Sequence, residues 1–157
     1  MASRKGAKAQ RFGLEAHAVA RTLAAMKENE IATAVVEAAY KLHTGLGPGI
    51  FETVYEVTLA HELRKRDYRV ERQVPVPIIW DGLKFDEGFR ADLIIDDCLL
   101  IALKSIQALE PVHSKQVVTY LRLTEKRLGL LINFGESRIK DGIKRIVNGL
   151  TEEPATP

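Results

Sequence analysis

Two short apolar runs, LLIALK at 99–104 and LGLLINF at 128–134, flank one helix-length segment, and no other feature constrains the fold as tightly. Neither run alternates polar with apolar residues, so both suit buried strands, with LGLLINF as a central one. Between them SKQVVTYLRLTEK has helical spacing, with Val117, Tyr120, Leu121 and Leu128 facing inward. Strand, helix and strand in that order form a crossover between parallel neighbours. The chain is therefore expected to build an α/β fold.

The remainder of the sequence fills in that sheet. YRVERQVPVPIIW places Val70, Val74, Val76 and Ile78 on one face, and Pro75 and Pro77 mark it as an edge strand. Asp81-Gly82 predicts a hairpin into the next strand. GFRADLIID then meets CLLIALK through a tight Asp96-Asp97 connection, which makes these two strands antiparallel. Upstream the period is helical. One helix is expected from Phe12 to about Lys27, and a second carries Ile31, Val35, Ala39, Leu42 and Leu46 on one stripe before GLGPG stops it. A third runs from about Ile50 to Arg66 and buries Val54, Leu59 and Leu63. SRIKDGIKRIVNGL supplies a short terminal element. The result is a mixed sheet between helices: one domain over residues 12–150, with a flexible basic arm at 1–11 and a disordered acidic tail at 151–157.

At 157 residues a single hydrophobic core suffices without staples. The one cysteine, Cys98, has no internal partner, and the N-terminal apolar stretches are broken by Glu, His and Arg. No signal peptide or membrane span is read, and the expected location is the cytoplasm. The net charge of +2 says little, but Arg4, Lys5, Lys8 and Arg11 precede any acid, and Arg64, Lys65 and Arg66 lie together. Such patches can meet phosphates, although a solvated helix face explains them equally well from charge alone.

One lysine asks for an explanation. Lys104 ends a buried strand, and Asp92 sits on a neighbouring one, so the two can lie side by side despite their separation in sequence. A carboxylate placed this way can bind a hard cation such as Mg²⁺, and an adjacent ammonium can position a water or balance charge on a phosphate. The bland alternative is a strand-end aspartate with a lysine reaching solvent. Glu52, in the first turn of the third helix, can reach the same place or simply favour the helix dipole. Tyr55 is three residues on. Gln116 and Tyr120 are spaced by one helical turn on the helix after Lys104. Arg90 can contact a phosphate, pair with Asp92 or stay on the surface. His43 and His113 lack the companions of a zinc site, and Cys98 reads as a small buried hydrophobe.

These residues carry a resemblance. GPGIFETVYE fits Gly-x-x-Glu-x-x-Tyr through Gly49, Glu52 and Tyr55, and with FRADLII, PVHSKQVVTYL and LGLLINFG the chain resembles the GxxExxY protein family, a branch of the PD-(D/E)XK nuclease superfamily, from about Asn29 to Asn148. The resemblance implies a restriction-endonuclease-like mixed central sheet flanked by helices and Mg²⁺- or Mn²⁺-dependent cleavage of phosphodiester bonds, with DNA favoured over RNA as the partner. It makes Asp92 and Glu52 metal ligands and Lys104 the lysine of Glu-x-Lys. Gln116 with Tyr120 becomes the Gln-x-x-x-Tyr helix of exonuclease-like members, and Arg90, Arg64 and Lys65 are candidate nucleic-acid contacts. The departure is at 102, where the pattern has an acid and this chain has Ala102. Either the site has decayed or one acid has been replaced by alanine; the intact remainder favours replacement. Impaired catalysis is expected. The alternative is a non-catalytic relative that binds nucleic acid or a protein.

Overall fold

The computed structural model describes residues 4–150. Its elements run α1 (Arg4–Leu46), α2 (Glu52–Lys65), β1 (Val70–Trp80), β2 (Leu83–Ile95), β3 (Leu99–Lys104), α3 (Pro111–Leu123), β4 (Leu128–Asn133), a 3-10 turn (Ile139–Gly142) and β5 (Ile143–Val147). The five strands form one sheet in chain order. β3 and β4 are parallel, from Leu99 opposite Leu128 to Lys104 opposite Asn133, with α3 as the crossover. The other three pairings are antiparallel, so the sheet is mixed as expected.

Alternation along the strands sorts their side chains between two helical layers. Leu99, Ile101 and Leu103 join Leu93, Ile95, Leu130 and Ile132 in the larger core, under α2 and the second half of α1. Leu100 and Ala102 turn the other way and join Ile94 and Leu131 against Val117 and Leu121 of α3. Both faces being covered explains why the strands read as unbroken apolar runs. β1 lies on the edge, where its two prolines leave no needed ladder donor missing. Asp81 and Gly82 both take positive φ, the geometry of a two-residue hairpin turn.

Several expectations are corrected. The two N-terminal helices are one: no proline or turn signal interrupts 27–31, and Lys27, Glu28 and Glu30 propagate a helix well. The basic arm expected over 1–11 is helical from Arg4 on, while residues 1–3 and the tail at 151–157 lie outside the described residues. Leu46 and Val54 are exposed rather than buried, because the Gly-rich turn swings the chain off the stripe and α2 instead buries Tyr55, Glu56, Leu59, Ala60 and Leu63. Leu128 opens β4 and is not on α3. In β1, Val70 and Val76 are buried, but the left-handed Gln73 breaks the single apolar face, so that Val70 joins the larger core and Val74 packs against the cluster under α3.

At the turn after α1, Gly47 and Gly49 adopt positive φ, which costs glycine nothing. Tyr55 reaches back to secure that turn: its hydroxyl donates to the Gly47 carbonyl and accepts from the Ile50 N–H, and its ring stacks on Phe134 at 4.3 Å. Among the described residues no helix is long and apolar enough to cross a membrane.

Candidate active site

The site opens where two strands stop pairing. β2 and β3 share only the rungs from Leu93–Ile101 to Ile95–Leu99. Beyond them the strands diverge, and the Leu103 N–H donates to Asp92 Oδ2 at 2.8 Å instead of to a strand carbonyl. The gap is a recess of ≈ 90 Å³ whose walls include Glu52, Arg90, Asp92, Ala102, Lys104 and Gln116. At about 30 Å³ per water this accommodates an ion with a few waters or part of a phosphate, and no base.

Each side chain arrives by a local cause. Ala102 and Lys104 share the α3 face of β3 by simple alternation, so the Ala102 methyl and the Lys104 stem enter the recess together. Ser105 follows immediately and donates to the Ile50 carbonyl at 2.6 Å, which ties the start of α2 to the end of β3 and holds Glu52 over the opening. From α3, Tyr120 leans in while stacked on Phe89 at 4.0 Å. His113 also lines the recess, and its Nδ1 accepts the Glu110 N–H in the capping box that starts α3.

The electrostatics agree with this convergence. Burial pushes the Asp92 carboxyl up; the Leu103 N–H works against the shift, the Glu56 charge adds to it, and the Lys104 charge opposes it. Burial also raises Glu52, with Lys104 again opposing and Asp92 adding. The Tyr120 phenol is raised by burial and by the charge of Asp92. Charges that perturb one another in this way belong to one cluster.

Two residues at the site had no signature in the sequence. Glu56, one turn beyond Glu52, is 5% exposed, paired with Arg72 Nε at 3.0 Å and accepting from Gln73 Nε2 at 2.7 Å. Gln73 sits opposite Asp92 with a φ of 51°, rare for a non-glycine, and its amide lies 3.5 Å from Asp92 Oδ1. The acid at i+4 from Glu52 was the one visible hint of this second carboxylate.

Other candidates fall elsewhere. Arg90 lines the recess but pairs with Glu87 at 2.6 Å, not with Asp92, because the adjacent bend of β2 brings Glu87 within reach. Arg64 and Lys65 are not at the recess. They end α2, about 20 Å along the helix from Glu52, where Arg64 donates to the Val70 carbonyl and Lys65 meets Glu62. Tyr55 is buried in the core and does not line the recess. His43 contacts the Glu136 carbonyl, and Cys98 packs against the core with its thiol pushed up by burial.

The carboxylates available to a cation at the recess are those of Asp92 and Glu52. Mg²⁺ is commonly held by one or two carboxylates with waters and a substrate phosphate, so this pair fits the ion with a reduced ligand set. Among the described residues no cluster of three acids, histidines or cysteines is placed to hold a metal.

Asp92 from β2, Lys104 from the end of β3 and Glu52 from the start of α2 thus meet at one recess of a mixed α/β sheet. Residues 29–146 match the family model of the PD-(D/E)XK nuclease superfamily, and the chain belongs to that superfamily. No curated protein and no solved structure matched it.

Proposed function

We propose that this chain is a metal-dependent nuclease of the GxxExxY type whose recess takes a phosphodiester of DNA or RNA, and that Ala102 leaves it strongly impaired. The observation carrying this reading is that Ala102 shares one recess with Glu52, Asp92, Lys104 and Gln116, its methyl standing where an acid beside Asp92 and Lys104 would complete the set. Asp92 and Glu52 would hold Mg²⁺ or Mn²⁺. Such an ion, when bound, lowers the pKa of a water and withdraws charge from the phosphoryl oxygens.

The protein's own groups then divide the remaining work. Leu103 N–H fixes Oδ2 of Asp92, and the Gln73 amide donates to Oδ1 at 3.5 Å. Gln73 bridges Asp92 to Glu56, and Arg72 holds Glu56 in turn, so the carboxylate is braced from behind. Lys104 orients the attacking water and balances charge developing on the phosphate. Gln116 and Tyr120 border the opening, where a nucleotide beside the scissile bond would lie. Arg90 is placed to exchange Glu87 for a phosphate.

With two carboxylates in place of three, the chain as it stands favours binding over turnover, which is the state of a non-catalytic nucleic-acid-binding relative. Losing a direct ligand costs more than the roughly 10- to 100-fold typical of a ligand's supporting partners. Ala102→Glu is therefore expected to raise cleavage of labelled DNA or RNA by more than about 100-fold with Mg²⁺ or Mn²⁺. Adding Lys104→Ala to that variant should remove about 10²–10⁴ of the gain. A folded Ala102→Glu protein that cleaves neither single- nor double-stranded DNA nor RNA overturns the catalytic reading.

A further inference from the structure

Residues 4–24 of α1 are exposed, yet they are patterned as a helix that packs on another. Ala9, Phe12, Ala16, Val19, Leu23 and Met26 recur with alternating spacings of three and four, the a/d seam of a coiled coil. All are exposed, and Phe12, Val19, Leu23 and Met26 are each more than half exposed. At 100° per residue the seam lies opposite Ala25, Glu28, Ala32 and Val35, which bury the helix against the sheet layer. A second helix can thus lie along the seam without meeting the body of its own chain.

We infer that this seam is a dimer interface, and that its occupant is the same helix of a second copy running antiparallel. The sequence is complementary to itself about a two-fold axis between His17 and Ala18. That axis sets Ala9 against the partner's Met26, Phe12 against Leu23, and Ala16 against Val19, a small or medium side chain facing a larger one in every layer. The next layer outward on each side sets Lys5 against the partner's Glu30, so opposite charges close both ends. A parallel pair in register puts Lys5 on Lys5, Glu30 on Glu30, Ala9 on Ala9 and Phe12 on Phe12. Like charges and unevenly filled layers therefore select against it. A seam two residues wide with alanine at two of its six positions also suits a facing helix better than a lipid surface, which calls for a broad apolar face.

The test uses the full chain. Sedimentation from about 1 µM to about 500 µM should show a concentration-dependent dimer. Phe12→Glu with Leu23→Glu places like charges in two layers and should weaken association by about tenfold or more. Both positions are exposed, so circular dichroism should be unchanged. Lys5→Glu should weaken the dimer, and Glu30→Lys in the same chain should restore it. For orientation, an equimolar mixture of Ala16→Cys and Val19→Cys chains under mild oxidation should give a mixed disulfide dimer that the unaltered chain does not. Monomer at every concentration, self-cross-linking of Ala16→Cys alone, or binding of the monomer to anionic phospholipid vesicles lost in Phe12→Glu/Leu23→Glu would each overturn the inference.

Discussion

Ala102 shows how much one position can disclose. Ala102 and Lys104 were legible as sharing a face because two residues along β3 return to the same side, whereas the expectation of an acid at 102 came from the family resemblance alone. Glu56 and Gln73 were not legible, since their roles depend on a left-handed residue inside β1 and on how α2 docks, neither of which leaves a local pattern. Arg90 was legible as a neighbour of the site with its partner left open among a phosphate, Asp92 and solvent, and it is an exposed residue paired with Glu87. The cost of assembling the site shows in its titration. Burial raises the Asp92 carboxyl, and an acid raised on folding favours the folded state only while protonated. That contribution is full below the unfolded value and is lost as pH rises through the folded one. In metal-free buffer Asp92→Asn should thus raise the melting temperature at neutral pH, with the difference closing toward strongly acid pH. A melting temperature lowered at pH 7 would show that the Leu103 hydrogen bond outweighs desolvation.

Among the elements, β3 and β4 were foreseen closely and α1 was not. Apolar runs with clear ends are self-defining, whereas a helix boundary between residues 27 and 31 had been inferred from a change of pattern that contains no breaker. The loop from β3 to α3 was equally silent, yet through Ser105 it ties the start of α2 to the end of β3. Asn133, fully buried at the end of β4, accepts the N–H groups of Ile106 and Gly135 through Oδ1 and donates to the Ile106 carbonyl through Nδ2. A β-carbon on Gly135 would collide with that same Ile106 carbonyl, so the loop lies directly against the strand end. Asn133→Ala strands these groups and should cost about 2–3 kcal/mol in urea unfolding. Because Ser105 and the start of α2 hang from the same loop, the variant should also loosen Glu52. Unchanged stability would mean that the loop is held by other contacts.

At the scale of the whole molecule, the fold gathers at one end what the sequence disperses over seventy residues. Glu52 comes from a helix on one face of the sheet, Gln116 and Tyr120 from a helix on the other, and Asp92 and Lys104 from strands between them. Basic residues are distributed differently: Lys104 and Arg90 line the recess, while Arg64 and Lys65 lie at the far end of α2. If phosphate is bound at the recess by these two cations, oligonucleotide affinity should fall with salt at a log–log slope of about −2. Arg64→Ala with Lys65→Ala should leave that slope unchanged, and a steeper slope that these substitutions reduce would move the nucleic-acid face to α2. The most direct test of the site itself is anomalous diffraction from Mn²⁺-soaked crystals of the Ala102→Glu variant. A manganese peak bonded to Asp92 and the introduced carboxylate, and absent when Asp92→Asn is added, is the expected result; a well-ordered variant with no peak at the recess would contradict it.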